Sequence, residues 1–168
     1  MAELKPGVHQ LFLREEELRQ AIELLFYAYR DFTAEGDTVL AKLGLGRAHH
    51  RVIYFVGRYP GIRVGELLAI LRITKQSLSR VLGELIRQGF VTYKPGPKDR
   101  RERRLELTQP GVDLERRLTE SQRARIAAAY RAAGAAAVEG YKRVLLGLVN
   151  ETDRTRFAGA VTPPPRTR

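Results

Sequence analysis

The sequence predicts a mainly α-helical protein with one small β-hairpin, its compact middle flanked by helices at both ends. Three observations carry that prediction. Apolar residues recur at helical spacing through most of the chain, as at Leu18, Ile22, Leu25, Tyr29 and Phe32. Period-two alternation is clearest where Arg103, Leu105 and Leu107 interleave with Arg104 and Glu106. Glycine and proline punctuate the chain between these segments, at Gly36, Pro60–Gly61, Gly89, Pro95–Gly96–Pro97 and Gly134. With 168 residues, 43% hydrophobic and 29% charged, the chain has enough apolar side chains to build a core.

The elements follow in order. Residues 15–34 read as a helix widened by Leu24, Phe26 and Ala28, and Gly36 is expected to end it. Val39 to Leu43 is read as a separate short helix, stopping at Gly44–Leu45–Gly46. Arg47 to Tyr59 forms the next, with Val52, Ile53, Phe55 and Val56 inward, until Pro60–Gly61 breaks it. Val64 to Leu71 is a two-turn helix with Leu67, Leu68 and Leu71 facing the core. After Arg72–Ile73–Thr74, a long helix runs from Lys75 to about Gln88 on the stripe Leu78, Val81, Leu82, Leu85 and Ile86. Thr74 is its N-cap, Ile73 and Leu78 occupy the staple positions, and Gly89 closes it in the left-handed conformation. Phe90 to Tyr93 and Arg103 to Leu107 are strands joined by a basic connection around Pro95–Gly96–Pro97. Thr108 caps another helix with Pro110 in its first turn, and Leu114, Leu118, Ile126 and Tyr130 continue the stripe. Gly134 marks a break before a last helix at about 135–149.

Isolated amphipathic helices are marginal in water, so the terminal helices are expected to pack together and against a second copy of the chain. The expected organisation is 1–46 as N-terminal dimerisation helices, 47–108 as the compact middle, 109–150 as C-terminal dimerisation helices, and 151–168 as a tail disordered from 162.

Charge and composition narrow the function. There are 30 Lys and Arg against 19 Asp and Glu, a net charge of +11, which suits a polyanionic partner. Residues 72–104 hold ten basic side chains against Glu84, Asp99 and Glu102, so +7 of that excess lies in 33 residues. Such concentration reads as a contact surface. Cysteine is absent, which removes disulfides, thiolate metal sites and cysteine nucleophiles. The longest uncharged stretch is Phe157–Pro165, far short of the 20 or so apolar residues of a membrane span, and the first residues do not read as a signal peptide, so a cytoplasmic location is expected. No nucleophile–base pair, phosphate loop or HExxH motif is found, so no enzymatic activity and no cofactor is expected.

Residues 63–107 have the shape of a winged helix-turn-helix: a short helix, a tight turn, a second helix and a basic hairpin. The second helix turns Lys75, Gln76, Ser79 and Arg80 away from its apolar stripe, with Gly83 adding no bulk. These side-chain types reach phosphates and base edges in duplex DNA. The cap at Thr74 fixes the end that would enter a major groove and leaves free N–H groups for a phosphate. Lys94, Lys98, Arg100, Arg101, Arg103 and Arg104 crowd the hairpin, whose repulsion a phosphate backbone would relieve. Asp99 among them either holds one guanidinium or favours the turn.

The motifs Thr74–Lys75–Gln76–Ser77–Leu78–Ser79–Arg80–Val81–Leu82, Leu85–Ile86–Arg87–Gln88–Gly89–Phe90–Val91 and Asp99–Arg100–Arg101, followed by Leu105–Glu106–Leu107–Thr108 and Gly111, resemble the MarR family of bacterial transcription regulators. Arg47–Ala48–His49–His50–Arg51–Val52 with Pro60–Gly61 further resembles its PetP-like branch. The resemblance implies a homodimer with interleaved terminal helices, binding a pseudo-palindromic double-stranded DNA operator, commonly as a repressor released by a small effector. It places the recognition helix, Lys75–Gln88, in a major groove and Arg101 at the wing tip in the adjacent minor groove, with Asp99 helping to orient it; the expected DNA-binding residues are Thr74, Lys75, Gln76, Ser77, Ser79 and Arg80 on the helix side and Lys98, Asp99, Arg100, Arg101 and Arg103 on the wing. The chain departs from the pattern at Arg72, where glycine is common, at Arg63, where Ser or Thr often caps, and at Leu68, where alanine is common.

Eight of thirteen aromatic residues precede residue 60. They suit a dimer core, or a pocket for a small aromatic or anionic effector lined by Tyr29, His49, His50 and Tyr54. No metal site is expected, because the adjacent His49 and His50 point about 100° apart on a helix. Two alternatives stand beside a specific regulator: a sequence-neutral architectural DNA-binding protein, and a protein-interaction module with no DNA role.

Overall fold

A computed structural model of the chain describes residues 11–97, 99 and 101–157. Lys98 and Arg100 of the expected wing, and the tail expected to be disordered from 162, lie outside the described residues. After a short turn at Leu11–Leu13, the elements are α1 (Glu15–Ala41), α2 (Arg47–Arg58), β1 (Ile62–Arg63), α3 (Val64–Leu71), α4 (Lys75–Arg87), β2 (Val91–Pro95), β3 (Arg103–Leu107), α5 (Gln109–Ala133), α6 (Ala135–Leu148) and α7 (Glu151–Arg154). The chain divides into two compact units, up to Gln122 and from Arg123 onward. No described helix is long and apolar enough to cross a membrane.

The first unit carries the core. Leu40, Val52, Ile53, Val56, Leu67, Leu78, Val81, Leu82, Leu85, Val91, Leu105, Leu114 and Leu118 are all buried, so the stripes of α2, α3, α4 and the start of α5 converge with the sheet in one cluster. Each such aliphatic side chain contributes about 1.5–3 kcal/mol when removed from water. Mainly helical architecture with a small wing is therefore what the chain adopts.

Three expectations need correction. Gly36 does not end α1, and Val39 to Leu43 is not a separate helix: α1 runs unbroken through both to Ala41. Gly36 is buried in it, and a Cβ there would come within 3.2 Å of the His50 ring. Close packing by α2 outweighs the roughly 1 kcal/mol that glycine costs a helix. The hairpin also gains a third strand, because Ile62 and Arg63 pair antiparallel with Leu105 and Arg104, giving the order β1-β3-β2.

Local signals set the joints around α4. Thr74 Oγ1 accepts the Ser77 N–H at 3.1 Å. At the other end Gly89 has φ +78°, Phe90 N–H reaches the Leu85 carbonyl and Gly89 N–H that of Ile86, a Schellman closure. Arg72 ends α3 in the left-handed conformation, φ +50° and ψ +41°, where glycine would fit without strain. Arg63 precedes α3 without a side-chain cap of its own; Glu66 Oε2 instead accepts the Arg63 N–H at 2.9 Å. Thr108 ties α5 to the end of α4, donating its N–H to the Phe90 carbonyl at 3.0 Å, bonding its hydroxyl to the Gly89 carbonyl, and accepting the Gly111 N–H at 3.1 Å.

Candidate nucleic-acid interface

The apolar stripe of α4 fixes its rotation. With Leu78, Val81, Leu82 and Leu85 buried, Lys75, Gln76, Ser79, Arg80 and Gly83 are left exposed on the opposite side. The Thr74 hydroxyl also donates to Ser77 Oγ at 2.8 Å, so these two hydroxyls hold the first turn. No ion pair engages Lys75 among the described residues. A capped helix thus offers cationic and neutral donors along one face, chemistry suited to phosphates and base edges.

The wing follows α4 through Gly89. Its β2–β3 register pairs Lys94 directly opposite Arg104 and Thr92 opposite Glu106. Two like charges facing each other would destabilise a sheet. The structure removes the conflict: Lys94 pairs with Glu106 at 2.6 Å and Arg104 with Glu102 at 2.9 Å, and Glu102 also faces Arg63 at 3.5 Å. The expectation that all the wing cations crowd together awaiting phosphate is corrected in this respect. Lys94 and Arg104 hold the wing together, while Arg101 and Arg103 remain exposed. The Arg103 guanidinium lies over the Tyr93 ring, 5.3 Å from its centroid.

Asp99 works through the backbone. Its Oδ1 accepts the Arg101 N–H at 2.9 Å, and its carbonyl accepts the Glu102 N–H at 3.1 Å. Of the two roles open to it, the turn is the one its contacts describe. Gly96 closes the same tip: its N–H reaches the Glu102 carbonyl at 2.9 Å, and a Cβ there would stand 2.7 Å from the Asp99 carbonyl oxygen. The bend that presents Arg101 is therefore built by Gly96 and Asp99 together.

The four residues considered for an effector have different surroundings. The Tyr29 hydroxyl accepts from Arg51 Nη2 at 3.0 Å. Tyr54 stands edge-on to Phe55, 5.2 Å between centroids. His50 is buried against Gly36, and burial pushes its pKa down from the ordinary histidine value, against the pull of Asp37 and Glu115. His49 has partners at both ring nitrogens: Nδ1 accepts the Gly46 N–H at 3.1 Å and Nε2 meets Glu84 Oε2 at 2.6 Å. The two histidines diverge, one towards α4 and the other towards α1.

Glu84 is the residue that sequence reasoning missed. It sits one helical turn beyond Arg80, whose Nη1 lies 3.5 Å from its Oε1. The hydrogen bond from His49 holds its carboxyl below the usual carboxylate range. The available signal was an acid on the recognition helix inside the most basic segment of the chain.

Comparison with known proteins agrees with this fold. A family model described as the MarR family matches residues 43–102. Over 151 residues the chain is 50% identical to the HTH-type transcriptional regulator PetP of Rhodobacter capsulatus, spanning 90% of this chain and 91% of that protein. FabT of Streptococcus pneumoniae, solved in complex with DNA, is similar at TM-score 0.68 and 17% identity, over 78% of this chain and 94% of that one. A crystallised MarR family transcription regulator gives 0.65 at 23% identity, over 86% and 92%. Likeness to these two solved structures speaks for the fold.

Proposed function

Because this chain belongs to the MarR family of winged helix-turn-helix transcription regulators, we propose that it acts as a cytoplasmic homodimeric repressor on a pseudo-palindromic duplex operator, reading bases through α4 and gripping the backbone with its wing. It is a DNA-binding transcription regulator by family, and the finer reading concerns which residues do the work. Gln76, Ser79 and Arg80 contact base edges, while Lys75, the Thr74–Ser77 turn and Arg103 meet phosphates. Arg101 enters the minor groove from the bend that Asp99 and Gly96 hold, and Lys98 and Arg100, its near neighbours in sequence, add positive charge to the wing.

The observation that carries this reading is the division of labour among the cations. Lys94, Arg104 and Arg63 have carboxylate partners, whereas Lys75 on α4 and Arg101 and Arg103 on the wing face solvent without one among the described residues. Exposed cations beside exposed Gln76 and Ser79 suit a polyanion carrying donor and acceptor patterns better than they suit a protein surface, where apolar anchors dominate.

Selection of bound sequences from a random duplex pool tests it. The expected result is one enriched motif with two inverted half-sites about one helical turn, roughly 10 base pairs, apart. Binding that random duplex competes away equally well at physiological salt would overturn it in favour of an architectural protein. Arg101→Ala should weaken binding and reduce the slope of log affinity against log salt by about 1. An aromatic or anionic effector would act by changing the separation of the two recognition helices, since half-site spacing is a geometric constraint.

A further inference from the structure

Resting on that reading of Arg80, we propose that His49 and Glu84 are positioning residues that set how Arg80 is presented to the operator, so that base discrimination on α4 depends on the N-terminus of α2. The contacts form one chain. Gly46 N–H donates to His49 Nδ1 at 3.1 Å, His49 Nε2 meets Glu84 Oε2 at 2.6 Å, and Arg80 Nη1 lies 3.5 Å from Glu84 Oε1. Exposure rises along it, with side chains 9%, 25% and 69% exposed from His49 to Glu84 to Arg80. Its inner end is fixed and its outer end is at the DNA face.

The protons are assigned by the chain itself. Nδ1 receives the Gly46 N–H and so holds a lone pair, which leaves the ring proton on Nε2 to be donated to Glu84. His49 is the third residue of α2 and reaches back to the backbone of the residue before it, the side-chain half of a capping box. Its ring therefore cannot turn without uncapping α2. Glu84, held by a near-buried donor on one oxygen, keeps the other oxygen aimed along α4 towards Arg80.

An ionised carboxylate beside a DNA-reading face repels phosphates, so Glu84 carries a cost there. A free surface pair of this length is worth little as stability. Its use is to restrict a long, flexible guanidinium before binding, since ordering such a side chain costs free energy at the interface. Glu84 supplies that restraint only because His49 restrains Glu84. The loop at residues 42–46 between α1 and α2 ends on the backbone N–H that starts the chain, so a shift of α2 would be felt at Arg80.

The probes are the best duplex selected by the wild-type protein and its single-base-pair variants. Discrimination is the affinity ratio between them at the position that Arg80→Ala relaxes. His49→Phe should lower that ratio about fivefold, within the range of coupled neighbours, and His49→Gln, which restores a donor towards Glu84, should keep most of it. In an Arg80→Ala background the His49→Phe effect should vanish. Glu84→Gln, which does not touch the α2 cap, should lower discrimination while raising affinity for random duplex, and it supplies the same test should His49→Phe fail to fold. If the effects of His49→Phe or Glu84→Gln multiply independently with that of Arg80→Ala, or if neither variant alters discrimination, the relay is wrong. If Arg80→Ala itself relaxes no position, the base-contact reading fails first, which is a different outcome.

Discussion

The middle of the chain and its helical ends use the same kind of sequence to different effect. In the middle, apolar stripes find one another: Val52, Ile53 and Val56 of α2 and Leu78, Val81 and Leu85 of α4 are at most 1% exposed. In α1 the stripe is equally regular, yet Ile22 is 68% and Phe26 64% exposed, and α6 has no buried residue at all. Helical periodicity therefore states that a face is to be covered and leaves open what covers it. Where a short sheet and four helices meet, the cover comes from the same chain. At the ends, this exposed apolar area is what the proposed second copy of the chain would bury, as homodimer interfaces do.

The sharpest way to break the middle is at its tightest joint. A Cβ on Gly111 would sit 2.0 Å from the Phe90 carbonyl oxygen, a backbone atom that cannot rotate away. Gly111→Ala must lift the start of α5 off the end of α4 and strain the Thr108 N–H bond to the same carbonyl. The expected cost is about 3 kcal/mol, at the upper end of overpacking penalties, read as a lower denaturant midpoint at unchanged m-value. Wild-type stability in this variant would mean that the joint is looser than its contacts describe.

Breaking the ends should leave the middle folded. Ile22 and Phe26 lie one turn apart on the exposed stripe of α1. The double variant Ile22→Glu with Phe26→Glu puts charge where a partner helix would pack. It should shift the protein to monomer in light scattering and weaken operator binding by about 100-fold or more through loss of bivalency. A stable dimer with wild-type binding would show that this face is not the interface.

Legibility in the sequence follows the same division. The bounds of α4, the end of β3 and the start of α5 were readable because caps and glycines within a few residues set them: Thr74, Gly89 and Thr108 each act on backbone groups one to five positions away in sequence or across a single joint. The continuity of α1 was not readable, because the reason glycine is tolerated at Gly36 is the ring of His50, placed there by the fold. Strand β1 is two residues long and exists only through pairing with β3. The candidate site was legible as a set of exposed cations and amides and illegible as a network. Glu102 counted only as negative charge and Glu106 only as the polar side of a strand until the fold placed them beside Arg104 and Lys94, and Glu84 meets His49 across 35 positions.

A smaller effect tests whether the cap or the core holds the recognition helix. Thr74→Ala removes the acceptor for the Ser77 N–H. Loss of an N-cap costs about 1 kcal/mol, and the fraying falls on the first turn, where Lys75 and Gln76 stand. Operator affinity should fall more than global stability, whereas Thr74→Ser should preserve both. Equal losses in the two measurements would assign the cap to folding alone.

The smallest expected effect is a titration that belongs to the middle only. His50 is held below its ordinary pKa mainly by burial, and the negative charges of Asp37 and Glu115 oppose that shift without cancelling it. The unfolded chain takes up this proton first, near pH 6.5. Stability is thus complete above about pH 6.5 and falls as pH drops towards the folded-state value, because the unfolded state binds more protons in that window. Glu84, whose carboxyl is also lowered, contributes stability present above its unfolded value of about 4.5 and loses it only at lower pH, so the two windows separate. Between pH 7 and pH 5 the melting temperature of the wild type should decline, and His50→Gln should flatten that decline. A variant with the wild-type slope would show that the proton responsible is bound at a group other than His50.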